Sequence, residues 1–277
     1  MLWQIRNIEV LMKNQKNSIE VHNLSVAYNK IPVLWDIDFE LPQGQIIGIV
    51  GPNGSGKSTL LKAIMGLIPL SSGYTKIYDK DLNAVRERVA YVPQRESVDW
   101  NFPATVEDVV RMGRFKPGKL FNRLSNIDKE LSTEAIEKVK LTQYKDRQIA
   151  QLSGGQQQRV FLARALAQGA DIYIMDEPFV GVDVATEKTI LDLLITMKNE
   201  GKTVVIVHHD LQTVSDSFDY LVLLNTRLIA HGPTKEVLTD ENLQATYGGQ
   251  LNLLTKLQNI IKEKDFPIRE KGFDDKC

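Results

Sequence analysis

The residues that most constrain this chain are 51–58, GPNGSGKS, which satisfy the spacing G-x-x-x-x-G-K-[ST]. They follow the apolar run IIGIV (46–50) and open the helical run STLLKAIMGL. A strand that turns through glycines into a helix points several backbone N–H groups at one spot, and the helix N-terminus adds a field favouring phosphate. Gly51, Gly54 and Gly56 permit the turn, with Pro52, Asn53 and Ser55 between them. Lys57 would reach the β- and γ-phosphates as a point charge, Ser58 would offer its hydroxyl to Mg²⁺, and Thr59 would hold the α-phosphate side. A glycine-rich turn that merely started a helix would not need a lysine at that point.

Two other runs, IYIM (172–175) and TVVIVH (203–208), are apolar without alternation, as in strands buried on both faces of a parallel sheet. In contrast, Ile37, Phe39 and Leu41 alternate with Asp38 and Glu40, and Ser18–Tyr28 reads the same way, so half-exposed antiparallel strands are expected there. YLVLLN (220–225) and RLIAHG (227–232) predict a hairpin turning at Asn225-Thr226, and Ile190, Leu193, Leu194 and Met197 predict a helix over Thr186–Asn199 with Gly201 as its stop. Capped helical patterns such as TVEDVVRMG (105–113) and IDKELSTEAIEKVK (127–140) dominate the stretch from about 85 to 165. The expected fold is α/β: a P-loop NTPase core with a mostly parallel sheet, an N-terminal antiparallel β subdomain and an inserted helical subdomain. Residues 1–17 read as a short extension, 18–250 as the ATPase domain, and 251–277 as a charged tail.

Composition excludes several classes. Lys and Arg (34) balance Asp and Glu (35), which removes any general electrostatic case for a nucleic-acid partner. The single cysteine, Cys277, allows neither a disulfide framework nor a cysteine metal cluster, and fits a reducing, cytosolic compartment. No apolar run approaches the ~18 residues needed to cross a bilayer, so a membrane role would require docking on a partner that does.

A triphosphate loop does not specify the chemistry, and the next motif narrows it. IYIMDE (172–177) delivers Asp176 and Glu177 at a strand's carboxyl end, where a ligand site in such a sheet lies. Asp176 can bind Mg²⁺ through water, and Glu177 is placed to orient and deprotonate an attacking water. LSGGQQQR (152–159) holds Ser153 three residues before Gln156, a capping box that could be only a well-made helix start. Alternatively, Gly154 and Gly155 keep side chains away, so that the exposed N–H groups and the Ser153 hydroxyl could receive a terminal phosphate.

With these motifs the sequence resembles the nucleotide-binding subunits of ATP-binding cassette (ABC) transporters, over roughly residues 18–245. LSGGQ is that family's signature, and the resemblance implies a homodimer in which the signature of one copy faces the phosphate loop of the other around two ATP molecules. It further implies that Tyr28 stacks on adenine, although by itself that residue reads as strand packing, and that Gln94 of YVPQ touches Mg²⁺ and the attacking water. Asp183 of FVGVD would contact the opposite subunit, although the residues before it depart from the common family form. His209 of VIVHHD would contact the γ-phosphate, with His208 in place of the usual hydroxyl residue. Two adjacent strand histidines point to opposite faces and do not make a metal site.

The mechanism implied is ATP hydrolysis with Glu177 as base, His209 and a facing Ser153 steadying charge, and Mg²⁺ held by Ser58, Gln94 and Asp176. QRESVDWNFPATVEDVVRMGR (94–114), FVGVD and VHHDLQTV (207–214) are similar to the ATPases of bacterial manganese, zinc and iron importers. The partners would then be an integral-membrane permease and, indirectly, an extracytoplasmic solute-binding protein, with this chain peripheral on the cytoplasmic face. The competing readings are an importer of another small solute, a soluble single-cassette ATPase such as an iron–sulfur assembly factor, and a binding module without turnover. The last lacks support because Glu177, the candidate base, is present.

Overall fold

Alternation of buried and exposed residues produces an antiparallel sheet at the start of the chain. In the computed structural model, which describes residues 16–115, 124–208 and 217–248, strand β1 (Asn17–Tyr28) pairs with β2 (Ile31–Pro42). Ile37, Phe39 and Leu41 point inward from β2 while Asp38 and Glu40 face out, as their spacing predicts. The chain then leaves this sheet through β3 (Ile46–Val50), turns into α1 (Lys57–Ile64), and returns as β4 (Ser72–Ile77), which completes the order β2-β1-β4. Most of the expected extension, the segment bearing His209, and the expected tail lie outside the described residues.

The second sheet carries the site. β5 (Val89–Val92) follows two short 3₁₀ turns, and after it come α2 (Val106–Met112), α3 (Asn126–Lys138) and α4 (Gly154–Gln168). β6 (Ile172–Asp176), α5 (Val184–Asn199), β7 (Thr203–His208), β8 (Tyr220–Asn225) and β9 (Arg227–Pro233) follow, then the short α6 (Thr234–Val237) and α7 (Asp240–Tyr247). The order is β5-β6-β7-β3-β8-β9, parallel except for β9, which forms the expected hairpin with β8. One expectation needs correction: β5 falls inside the range read as helical, yet it is the edge strand of the parallel sheet, hydrogen-bonded to β6. At four residues it is too short for periodicity to separate it from a helical turn.

Each parallel strand divides its residues between two cores. Ile46, Val50, Tyr173, Met175, Val204 and Ile206 pack with α2–α5, whereas Ile47, Ile49, Ile172, Ile174, Val205 and Val207 pack with α1 and the antiparallel sheet. This two-sided burial explains why these runs lack alternating polarity. The two sheets are also joined directly, since Trp35 N–H donates to the Thr226 carbonyl at the β8–β9 turn. That bond ties the carboxyl end of β8 to β2.

Candidate active site

The loop after β3 is shaped by close backbone approach. A Cβ at Gly51 would lie 2.0 Å from the Leu224 carbonyl oxygen, and Thr226 N–H donates to the Ser55 carbonyl at 3.0 Å, so the loop leans on the end of β8. Gly56 has φ +96°, and a Cβ there would meet Leu34 Cδ2 at 2.5 Å. Only glycine combines that dihedral with that contact. α1 therefore starts in a fixed direction, anchored by buried Leu60, Leu61 and Ile64 at about 1.5–3 kcal/mol for each full burial.

Lys57 is buried, and its Nζ donates to the carbonyls of Gly51 and Pro52, both at 2.8 Å. Burial lowers the amine from its ordinary pKa, while the Glu177 and Asp176 carboxylates pull it back up. Ser55 Oγ is buried with no hydrogen-bond partner among the described residues. An unpaired buried donor beside a buried cation is costly in itself and suited to an anionic oxygen, so the loop fits a polyphosphate. Asn53 and Gly54 stay exposed at its tip, and Thr59 is half-buried one residue after Ser58.

Two hydrogen bonds tie the loops together at the sheet's carboxyl edge. Ser58 Oγ donates to Asp176 Oδ1 at 2.8 Å, and Gln94 Nε2 donates to Glu177 Oε2 at 3.0 Å. Asp176, 1% exposed, is raised above the ordinary carboxyl range by burial, with the Ser58 bond opposing and Glu177 adding to the rise. A hydroxyl, a carboxylate and an amide oxygen are hard donors, the set that suits Mg²⁺. Among the described residues no group of three or more His, Cys, Asp or Glu could hold a metal ion by itself. Glu177 carries φ +51°, a sparsely populated conformation for a residue with a side chain, and turns the chain sharply as it leaves β6.

The signature segment forms a closed turn. Ser153 Oγ accepts from Gln156 N–H at 3.3 Å, and Gln156 Oε1 accepts from Ser153 N–H at 2.9 Å, so the capping box exists. The glycines also have a packing reason within this chain: a Cβ at Gly155 would touch Thr186 Oγ1 at 3.3 Å, and one at Gly154 would touch Arg95 Cζ at 3.1 Å. Asp183 caps α5 by accepting from Thr186 N–H at 2.7 Å, and that bond holds its carboxyl below the usual range. Ser153 and Asp183 thus bond within their own turns rather than to the phosphate loop, whereas Ser58, Gln94, Asp176 and Glu177 are brought together.

Tyr28 ends β1 with 46% of its surface exposed, which overturns the strand-packing reading of that residue. His208 ends β7 buried, with its ring edge-on to Phe179 at 5.5 Å and tilted against Phe218 at 5.6 Å. Sequence reasoning missed Phe179 and Arg95 as parts of the site. The available signals were their neighbours, because Phe179 lies two residues after Glu177 and Arg95 directly follows Gln94.

Comparison with known proteins agrees with this geometry. The ABC transporter family pattern matches residues 34–180. The chain is 58% identical to the manganese transport system ATP-binding protein MntB of Bacillus subtilis (strain 168), over 85% of this chain and 94% of that protein. It is 54% identical to the zinc transport system ATP-binding protein TroB of Treponema pallidum (strain Nichols), over 85% and 88%. Among solved structures, a transporter described as of the metal-chelate ABC type, in an inward-facing conformation, superposes with a TM-score of 0.73 at 30% identity, covering 83% of this chain and 88% of that one. The ADP conformation of an ATP-binding cassette superposes at 0.71 with 26% identity, covering 81% and 95%. A phosphate loop, a carboxylate pair at the end of β6 and a capped glycine turn on one P-loop fold agree with these likenesses, and the chain belongs to the ABC transporter family as one of its ATP-binding subunits.

Proposed function

We propose that this chain binds MgATP and hydrolyses it to power import of a divalent metal ion, manganese, zinc or iron, through a separate membrane permease. The observation that carries this reading is the pair of bonds Ser58–Asp176 and Gln94–Glu177, which gathers loop, metal-binding and base candidates at one sheet edge. The names of the relatives favour transport of manganese or zinc over a soluble assembly role.

Gly51 to Thr59 would hold the phosphates, with Lys57 exchanging its two carbonyl partners for phosphate oxygens and Ser55 Oγ gaining one. Ser58, Asp176 and Gln94 would hold Mg²⁺, which when bound neutralises charge on the phosphates. Glu177 would take a proton from the attacking water while Gln94 orients its carboxylate, a contribution of about 10²–10⁴ in rate. Tyr28 would offer its exposed ring to adenine. His209, outside the described residues, would contact the γ-phosphate. Ser153–Gln156 and Asp183 would serve the facing copy in a homodimer. ATP bound by both copies favours the closed pair, and hydrolysis releases it.

No helix among the described residues is long and apolar enough to cross a membrane, which fits a peripheral subunit on the cytoplasmic face. A cleft of about 570 Å³ between the parallel sheet and the helices, lined by Arg86, Tyr91, Met112, Phe115 and Arg164, would receive the permease. The solute-binding protein would then meet the permease rather than this chain. The test is affinity purification of tagged chain from detergent-solubilised native membranes, followed by ATPase and metal-uptake assays with and without Glu177→Gln. A co-purifying polytopic permease, with both activities lost in the variant, is expected. Recovery of soluble assembly factors alone would overturn the reading.

A further inference from the structure

The segment after β5 is fastened at both ends. At its start Gln94 donates to Glu177 in the phosphate-loop half-site, and the next residue, Arg95, reaches α4 instead, where its Nε donates to Gln157 Oε1 at 3.0 Å. Gln157 lies in the first turn of α4, is 4% exposed, and is itself fixed by donating Nε2 to the Ile149 carbonyl at 3.1 Å. The Arg95 guanidinium also lies against Gly154, where an added Cβ would sit 3.1 Å from Arg95 Cζ.

A second attachment keeps Arg95 in place. Trp100 Nε1 donates to the Arg95 carbonyl at 2.9 Å, and the Trp100 ring stands edge-on to Phe161 of α4 at 5.1 Å. Ser97 Oγ closes the intervening turn by donating to the Gln94 carbonyl at 2.7 Å. A charged donor is thereby committed to a neutral, nearly buried amide one residue away from the catalytic candidates. Such a bond is worth more than a neutral one and costs more when one partner is lost.

We propose that Arg95 is a positioning residue that holds this chain's Ser153–Gln156 turn in place for the ATP on the facing copy, an inference that rests on the paired-site reading above. Its defect should therefore appear in trans, at the nucleotide bound by the other chain. A residue that acted through Gln94 on its own Glu177 would show the opposite polarity.

The experiment uses full-length chains with two different tags, co-expressed with the permease and purified over both tags. Both chains carry Glu177→Gln so that ATP is not consumed, and one also carries Lys57→Ala so that a single site binds. Release of radiolabelled ATP with Mg²⁺ is then timed. Arg95→Met in the Lys57→Ala chain, which supplies the facing turn, is expected to speed release about tenfold. The same substitution in the ATP-binding chain is expected to leave release within about twofold. Faster release only in the second arrangement, equal acceleration in both, or no change in either would overturn the assignment. Arg95→Lys, which keeps the charge and stem, repeats the test if the methionine variant unfolds. A Ser153→Arg control in the facing chain separates the two ideas, because unchanged release there would sink the paired-site reading itself.

Discussion

Two glycines in the phosphate loop have the same backbone hand but different surroundings, and replacing each by alanine separates dihedral strain from steric contact. Gly54 has φ +81° with nothing within 4 Å of an added Cβ. Gly54→Ala should therefore cost only left-handed strain, about 1–2 kcal/mol. Gly56 has φ +96°, and its added Cβ would sit 2.5 Å from Leu34 Cδ2 and 3.2 Å from the Val33 carbonyl oxygen. Leu34 is fully buried and cannot swing away, so overpacking adds roughly 1–3 kcal/mol to the same strain. The expected total for Gly56→Ala is about 2–5 kcal/mol, at least 1 kcal/mol beyond Gly54→Ala. Urea unfolding of the nucleotide-free chain measures both, and an unchanged slope would show that the denatured state is unaltered. Equal losses in the two variants would refute the reasoning, because Leu34 would then be yielding and the direction of α1 would not depend on that contact.

Three further outcomes follow from the site. Burial raises the Asp176 pKa, so the native state holds its proton over a pH range where the unfolded chain has lost it, and stability from this group falls as pH rises through that range. Asp176→Asn should thus unfold later than the parent at pH 7, by about 1 kcal/mol, converge with it below the ordinary Asp pKa, and lose ATP hydrolysis. A less stable variant at pH 7 would contradict this. Tyr28→Ala should weaken ATP binding by about 1–3 kcal/mol at little cost in stability, since the ring is exposed, with Tyr28→Trp restoring binding in a fluorescence titration. His208→Thr and Phe179→Leu should show a coupling of about 0.5–1.5 kcal/mol in a double-mutant cycle of chemical unfolding, and strict additivity would show that their ring contact carries no energy.

Legibility in the sequence followed the range of the interactions involved. The buried strands, the β8–β9 hairpin and the α5 face were readable because their signals are local periodicities or turn residues, and the structure realises Ile190, Leu193, Leu194 and Met197 as one buried stripe. β5 was not readable as a strand, because four residues flanked by 3₁₀ turns carry too little pattern, and what makes it a strand is its pairing with β6 more than eighty residues later in the chain. Motif residues were legible because phosphate chemistry fixes their spacing. Their supports were not: Leu34 under Gly56, Leu224 against Gly51 and Arg95 over Gly154 meet the motifs only after folding.

The positions that break local rules gather where the chemistry is proposed. Asp176 is a carboxylate buried at a strand end and Glu177 holds a positive φ, while among the described residues Lys57 is a buried cation bonded only to carbonyls and Ser55 a buried hydroxyl without a partner. Each costs stability by itself, and on the proposed reading each would be relieved or used by an anionic ligand with its cation. A fold selected for stability alone would have removed them, as the Asp176→Asn expectation states. Their coexistence within one loop and one strand end means that ligand binding should stabilise the chain by more than contact with a relaxed site would give. The gain should concentrate in hydrogen-exchange protection of residues 51–59 and 176–177, and protection spread evenly over both sheets would indicate simple mass-action stabilisation instead.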